Sequence, residues 1–188
     1  MLTELLQDRA ERYVSGDMAA SERQSFEVIL GFHQELRMQV TGLQNVVTAV
    51  VMAAVPPVAP PGELKARLLF ALDGLPPVEP EAWVATDPAG RVEWVNPAFT
   101  AMCGYSLEEL KGRKPGHLLQ GPDTDPAAVE RIRHALRARS ACRETLVNYH
   151  KDGSRYHVEV SIDPILDDEG QPLWLVARER KIPAGTVA

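Results

Sequence analysis

The side chains that could be most reactive in this sequence are two cysteines, and their placement indicates neither a metal site nor a nucleophile. Cys103 and Cys142 lack the CxxC spacing of zinc knuckles and redox sites. No HExxH, Gly-x-Ser-x-Gly or Walker-type phosphate loop occurs. The acidic run Asp167-Asp168-Glu169 precedes Gly170, so turn solvation explains it without a metal. The sequence therefore predicts no catalytic residues and no metal ligands.

Composition narrows the class of partner and the compartment. The 188 residues carry a formal net charge of -6, which opposes direct nucleic-acid binding. The longest apolar run, Val46 to Val55, is far shorter than the roughly 20 residues of a membrane-spanning helix. The charged first residues contain no signal core, and two cysteines are too few for a disulfide framework. The sequence predicts a cytoplasmic protein without membrane contact.

Prolines divide the chain into two halves, because none occurs before Pro56 and clusters follow at 56–61 and 76–80. The first half has helical periodicity, with helices predicted at about 2–14, 20–54 and 62–72. From Phe26 to Val50, apolar residues recur at a three-four spacing, and such a stripe needs a partner surface.

The second half alternates between short strands, turns and capped helices. Strands are predicted around Trp83 and from Val92, separated by a strong turn at Asp87-Pro88-Ala89-Gly90. Helices are predicted to start at Asn96-Pro97, Ser106 and Asp125. Longer strands follow at 143–150, 155–165 and 173–180. The predicted fold class is α+β, with an all-α N-terminal domain and a five-stranded antiparallel sheet carrying helices on one face. The predicted divisions are a helical domain at 1–72, a linker at 73–81, a mixed domain at 82–183 and a tail at 184–188.

The order of the strands and helices in the second half, and the turns between them, resemble the PAS family of sensory domains. The segment WVATDPAGRVEWVNPAFTAMCGYSLEELKGR is similar to the family's opening pattern, and NYHKDGSRYHVEVSIDPILDDEG is similar to its closing hairpins. The resemblance implies a ligand-holding cup or a dimerising switch that does not itself catalyse a reaction. Because no kinase or cyclase module follows the resemblance, the sequence predicts that the protein is not an enzyme.

The middle segment, GRKPGHLLQGPDTDP, resembles the flavin-binding light sensors called LOV domains. Aligned on Leu119-Gln120, the resemblance puts Gly116 at the position of the reactive cysteine, so no cysteinyl adduct with a flavin is expected. His117 stands at the arginine that meets the flavin phosphate, Val158 at an asparagine, and either Glu179 or Arg178 at a late glutamine. The cofactor is left open: none, a non-covalent flavin, or a haem at His134, which is more simply a solvated helix residue. The candidate ligand-binding residues are Gln120, Asn148, His117 and Trp94.

The first half resembles anti-sigma-factor domains through YVSGDMAASERQSFEVIL and the proline-rich VPPVAPPGELKARLLFAL. Many relatives bind zinc at the end of the second helix, but His33 is followed by no cysteine, so zinc is not expected. The resemblance implies that the helices bind and sequester a sigma factor. The candidate partner-binding residues are Tyr13, Phe26, Leu30, Leu64, Leu68 and Leu69.

Two functions from different classes follow. The main hypothesis is a signalling regulator in which a PAS sensor controls the sequestration of a sigma factor. The alternative is a PAS protein whose N-terminal helices form a homodimer, with a non-covalent flavin or haem as a light or redox sensor. The heptad-like spacing from Phe26 to Val50 favours self-association.

Overall fold

Three helices form the N-terminal region of the computed structural model, which describes residues 2–54, 61–65, 67 and 81–183. Helix α1 (Glu4–Ser15) begins after the cap Thr3 and ends at Gly16, whose φ of 83° lies in the left-handed region that favours glycine. Helices α2 (Ala20–Phe32) and α3 (Gln34–Ala54) follow. The helix predicted at 62–72 lies mostly outside the described residues.

The single helix predicted over 20–54 is wrong, because the chain breaks at His33. Its φ of -93° and ψ of 97° are extended, and its Nδ1 accepts a hydrogen bond from the Leu36 amide at 3.2 Å. The side chain thus acts as a cap for the next helix. The His33 ring also lies edge-on against Trp174, with 5.5 Å between ring centroids, as expected for a residue of the apolar stripe.

Five antiparallel strands form one sheet in the order β2-β1-β5-β4-β3. They are β1 (Ala82–Thr86), β2 (Val92–Val95), β3 (Cys142–Tyr149), β4 (Arg155–Leu166) and β5 (Pro172–Ile182). Between β2 and β3 lie α4 (Pro97–Cys103), α5 (Leu107–Leu110), α6 (Pro115–Leu119) and α7 (Pro126–Arg137). This arrangement confirms the predicted α+β fold class; α6 is an element that the sequence did not predict.

Each face of the sheet has its own hydrophobic cluster. The inner face packs against α4–α7 through side chains that include Val84, Phe99 and Leu146. The outer face packs against α1–α3, where Phe26 and Ile29 share a cluster with the sheet residue Val176. The N-terminal helices therefore share a core with the sheet, and helices cover both of its faces.

Polar contacts add to this docking of the helices. The Leu5 amide at the start of α1 donates a hydrogen bond to Asp168 Oδ1 in the turn between β4 and β5. Arg178 on β5 donates to Gln24 Oε1 on α2 at 3.2 Å.

Among the described residues, no helix combines the length and apolar character that crossing a membrane requires.

Candidate ligand-binding site

A cavity of about 480 Å³ lies between the inner face of the sheet and the helices α6 and α7. Its walls are mainly aliphatic, with Val84, Leu146 and Leu175 from the strands and Ile132 and Leu136 from α7. A mostly apolar cavity of this size with a few polar groups is typical of a site for a small organic ligand.

Asn148 and Glu179 are buried polar side chains that face this cavity from two strands on either side of β4. Asn148 on β3 is 3% exposed and Glu179 on β5 is 5% exposed. Asn148 Oδ1 and Glu179 Oε2 have no hydrogen-bond partner among the described residues. A buried polar atom without a partner costs free energy, so these two atoms mark where a ligand or water would bind.

Burial also raises the pKa of two acidic side chains on this side of the cavity. Removal from water raises the pKa of Glu179 to about 7. Burial, reinforced by the nearby Glu179, also raises the pKa of Tyr156, and an interaction with Asn148 opposes this rise only in part. Burial thus disfavours the charged forms of Glu179 in the wall and of Tyr156 on β4.

Helix α6 brings Gln120 and Gly116 to the opposite wall. A Cβ atom on Gly116 would lie 2.9 Å from Gln120 Nε2, so a larger residue would have to displace the glutamine side chain. The segment after Gln120 is tied to β3, because Thr124 Oγ1 donates to the Val147 carbonyl and accepts from the Gly121 amide at 3.0 Å. These bonds hold Gln120 against the cavity.

The mouth of the cavity is basic. Lys114 and the exposed His117 line it, together with Arg133 and Arg137, which pair with Glu130 at 3.5 and 3.1 Å. An adjoining cavity of about 350 Å³ shares Lys114 and His117 and adds Arg91 and Arg113. In a chain of net charge -6, this arrangement would attract an anionic group at the mouth.

The structure brings three of the four candidate ligand-binding residues together: Gln120, Asn148 and His117 all line the cavity. Trp94 does not, and its prediction is wrong. A β-bulge between β1 and β2 pairs Ala85 with Trp94 but Thr86 with Val92, which leaves Glu93 as an extra residue. The indole therefore lies on the outer face, stacked on Phe32 with 6.0 Å between ring centroids.

Sequence reasoning left the late polar position open between Arg178 and Glu179. Because side chains alternate along a strand, only one of them can face the cavity. Glu179 lines the cavity, whereas Arg178 lies on the outer face near Trp83 and Glu81. Alternation from Leu175, a cavity residue on the same strand, could have assigned Glu179 from the sequence.

Neither cysteine lies in the cavity wall. Cys103 is buried in α4 and Cys142 lies at the start of β3, and burial raises the pKa of both thiols. His134 is exposed on α7 and is not among the cavity-lining residues, consistent with the surface interpretation. The described residues contain no group of three or more His, Cys, Asp or Glu side chains that could hold a metal.

The candidate partner-binding residues are divided between buried and exposed positions. Phe26 is 1% exposed inside the outer cluster, and Tyr13 and Leu30 pack against that cluster. Leu64 is 38% exposed, whereas Leu68 and Leu69 lie outside the described residues. The predicted stripe is therefore partly used within the molecule, and the four of these residues that the structure describes do not form one exposed surface.

Comparisons with known proteins agree with this geometry. Over 102 residues the chain is 37% identical to a blue-light photoreceptor of Listeria monocytogenes, covering 53% of this chain and 40% of the photoreceptor. A solved light-oxygen-voltage domain, studied with a flavin analogue, superposes with a TM-score of 0.54 at 30% identity, covering 65% of this chain and 90% of that domain. The chain thus spans less than half the length of the curated photoreceptor but most of the solved sensory domain.

A third relative corrects the prediction that the protein is not an enzyme. The chain is 39% identical over 79 residues to a blue-light-activated histidine kinase of Erythrobacter litoralis, covering 42% of this chain and 22% of the kinase. Histidine kinases are enzymes, so the resemblance to a sensory family did not justify the prediction, although the match covers only the sensory part. The PAS domain family matches residues 80–177, which is more than half of the 188 residues, and the chain therefore belongs to the PAS domain family.

Proposed function

We propose that this protein is a flavin-binding light sensor of the LOV type that signals through its N-terminal helices. The observation that carries the proposal is the cavity wall, where Asn148 and Glu179 have buried, unpartnered oxygen atoms. The names of the relatives add support, because a blue-light photoreceptor and a blue-light-activated histidine kinase match the same region.

The residues present fit a flavin. Gln120, Asn148 and Glu179 would hold the polar edge of the ring, and the aliphatic walls would pack against its faces. The basic mouth at Lys114 and His117 would attract the phosphate of a flavin mononucleotide. When bound, a flavin supplies blue-light absorption and electron exchange. The association would be non-covalent, because no cysteine is found in the cavity wall within the described residues.

The outer face of the sheet provides a route for the signal. Val176 and Ala177 are neighbours on β5, but Val176 belongs to the outer cluster that holds α1–α3 and Ala177 lines the cavity. A change at the cavity wall would therefore act on the backbone of a strand that also holds the helices. We propose α1–α3 as the output element.

A visible absorption spectrum of freshly purified protein tests the cofactor. We expect flavin bands, which should be lost in Asn148→Ala but kept in the matched control Asn45→Ala, since Asn45 is exposed on α3. Irradiation should change the spectrum of the wild-type protein. A preparation that shows no flavin band, and that takes up none when mixed with flavin mononucleotide, would contradict the proposal.

A second candidate function, self-association, is favoured by the C-terminal part of α3. Val46, Val47, Val50 and Val51 are 46–63% exposed there, and α3 has no charged residue after Arg37. A surface without charge suits a second copy of itself better than a charged partner. Light scattering should show a dimer that dissociates in a Val47→Lys, Val50→Lys variant and persists in Gln34→Lys, which adds a lysine on the same helix.

Sigma-factor binding is the less supported output. Phe26 would have to leave a cluster in which it is 1% exposed, at the cost of its packing there, including its contact with the Tyr13 ring. The family match at residues 80–177 does not include these helices. Retention of a purified sigma factor by the wild-type protein, lost in Leu64→Asp, would support this function; no retention would remove it.

A further inference from the structure

The side chain of Glu179 is a carboxyl group placed where an uncharged group would be expected. Its strand partners are Ala82 on β1 and Val160 on β4, so it lies in the middle of the sheet and not at an edge. It faces the cavity with an unpartnered Oε2 atom and is 5% exposed. A buried carboxylate without a cationic partner is costly, whereas a carboxylic acid there can donate a hydrogen bond.

The groups packed around Glu179 do not neutralise it. Tyr156 from β4 and Cys103 from α4 are close enough to interact electrostatically with it, and burial raises the pKa of each, so both remain uncharged near neutral pH. The cations of the cavity lie at its mouth, where Arg133 and Arg137 already pair with Glu130. Burial raises the pKa of Glu179 to about 7, with no contribution from a neighbouring charge.

Filling the cavity would shift this balance further. A ligand that displaces water from the wall removes the remaining hydration of the carboxyl group and leaves the charged form still less favourable. We infer that Glu179 is the proton-exchanging group of the cavity, which binds its ligand with the carboxyl neutral and donating a hydrogen bond to an acceptor atom on the ligand.

The inference specifies the ligand class and rests on the proposed flavin function. The ligand edge that meets Glu179 presents a carbonyl oxygen or an unprotonated ring nitrogen and carries no negative charge there. The proton balance is simple: where the free protein holds the carboxylate, binding takes one proton from solvent and converts it to the carboxylic acid. Affinity should thus be flat in acid and fall about tenfold per pH unit above about pH 7.

Calorimetric titration with riboflavin, in buffers of different ionisation enthalpy, counts the protons taken up. We expect about one proton per ligand at about pH 8.5 and close to none at about pH 5.5. Glu179→Gln keeps the size and the hydrogen-bonding capacity and should take up none at either pH. Glu169→Gln removes an exposed turn carboxyl and should behave like the wild type. His117→Gln tests the histidine at the cavity mouth.

The outcomes separate the inference from the proposed function. Riboflavin binding without proton uptake, or uptake that persists in Glu179→Gln and disappears in His117→Gln, overturns the inference and leaves the flavin assignment standing. If riboflavin does not bind, thermal unfolding of the unliganded protein decides the inference. A rise in the melting temperature of Glu179→Gln over wild type at about pH 8.5 that vanishes at about pH 4 supports proton exchange at Glu179; equal profiles overturn it together with the flavin assignment.

Discussion

The two faces of one β-sheet are packed to different degrees. The outer face meets α1–α3 through large rings, with Trp94 stacked on Phe32 and Trp174 edge-on to the same ring at 5.9 Å. The inner face leaves a cavity of about 480 Å³, which is lined by Asn148 and Glu179 with their unpartnered oxygen atoms. Side chains fill the space between the outer face and its helices, whereas the inner face leaves room for a ligand.

Strand β5 contributes to both faces, because its side chains alternate between the cavity and the N-terminal helices. Leu175, Ala177 and Glu179 face the cavity, whereas Val176 and Arg178 face the helices. Small Ala177 and polar Glu179 keep the inner side open, while Val176 is fully buried on the outer side. Packing on the outer face should therefore dominate stability, and substitutions on the inner face should depend on pH and ligand.

The largest expected effect is the removal of a ring from the outer face. Phe26→Ala deletes a side chain that is 1% exposed and should lower the free energy of unfolding by about 3–5 kcal/mol. Urea unfolding measures the loss. Met38→Ala, at a position 67% exposed on α3, should change it by less than about 0.5 kcal/mol. Equal effects would mean that Phe26 is not buried in the outer cluster.

On the inner face, Glu179→Gln should stabilise the unliganded protein in alkaline solution. The pKa of Glu179 in the folded protein, about 7, lies above its ordinary value of 4.5, so the neutral carboxyl has its full stabilising effect below about pH 4.5 and loses it as the pH rises through about 7. The glutamine, which does not ionise, should gain about 3 kcal/mol over wild type at about pH 8. Denaturant titrations at several pH values measure this gain; a pH-independent difference would contradict the assigned burial.

The segment that closes the cavity should tolerate added volume poorly. A Cβ atom on Gly121 would lie 2.4 Å from the Tyr149 ring, so Gly121→Ala should cost about 1–3 kcal/mol. Gly42→Ala is the matched control in α3, where nothing lies within 4 Å, and it should stabilise by up to about 1 kcal/mol. Thermal unfolding gives both signs, and the same sign for both variants would be inconsistent with this packing.

The smallest effect should come from the polar link across the outer face. Arg178 contacts Gln24 and, at 3.5 Å, Glu81, but it is partly exposed. Arg178→Gln should therefore cost no more than about 1 kcal/mol. A loss as large as that of Phe26→Ala would show that polar contacts, and not ring packing, hold the helices.

Much of the fold could be predicted because its signals are local. The turn at Asp87–Gly90, the Asn96 cap and the Ser106 capping box all occur where the sequence placed them. The break at His33 was missed, because an uninterrupted apolar spacing hides a change in direction that depends on packing against Trp174. The docking of α1–α3 on the sheet was left open by the sequence, since a stripe identifies an apolar surface but not what covers it.

The site was predicted in part for the same reason. Gln120, Asn148 and His117 follow from the pattern of the family, and all three line the cavity. Trp94 could not be placed, because one extra residue reverses the alternation that assigns faces in a strand. The unpartnered oxygen of Glu179 depends on the absence of tertiary contacts, which no local pattern reports.

The bulge at Glu93 has a consequence for how such a domain can change over evolutionary time. Loss of that one codon would restore regular alternation in β2 and keep the strand pairs of Val92, Trp94 and Val95, so we expect the indole of Trp94 to stay on the outer face. The deletion would remove the Glu93 carboxylate, which accepts a hydrogen bond from Trp174 Nε1 at 3.0 Å. The length of β2 could therefore change by one residue during evolution without exchanging the residues of its two faces.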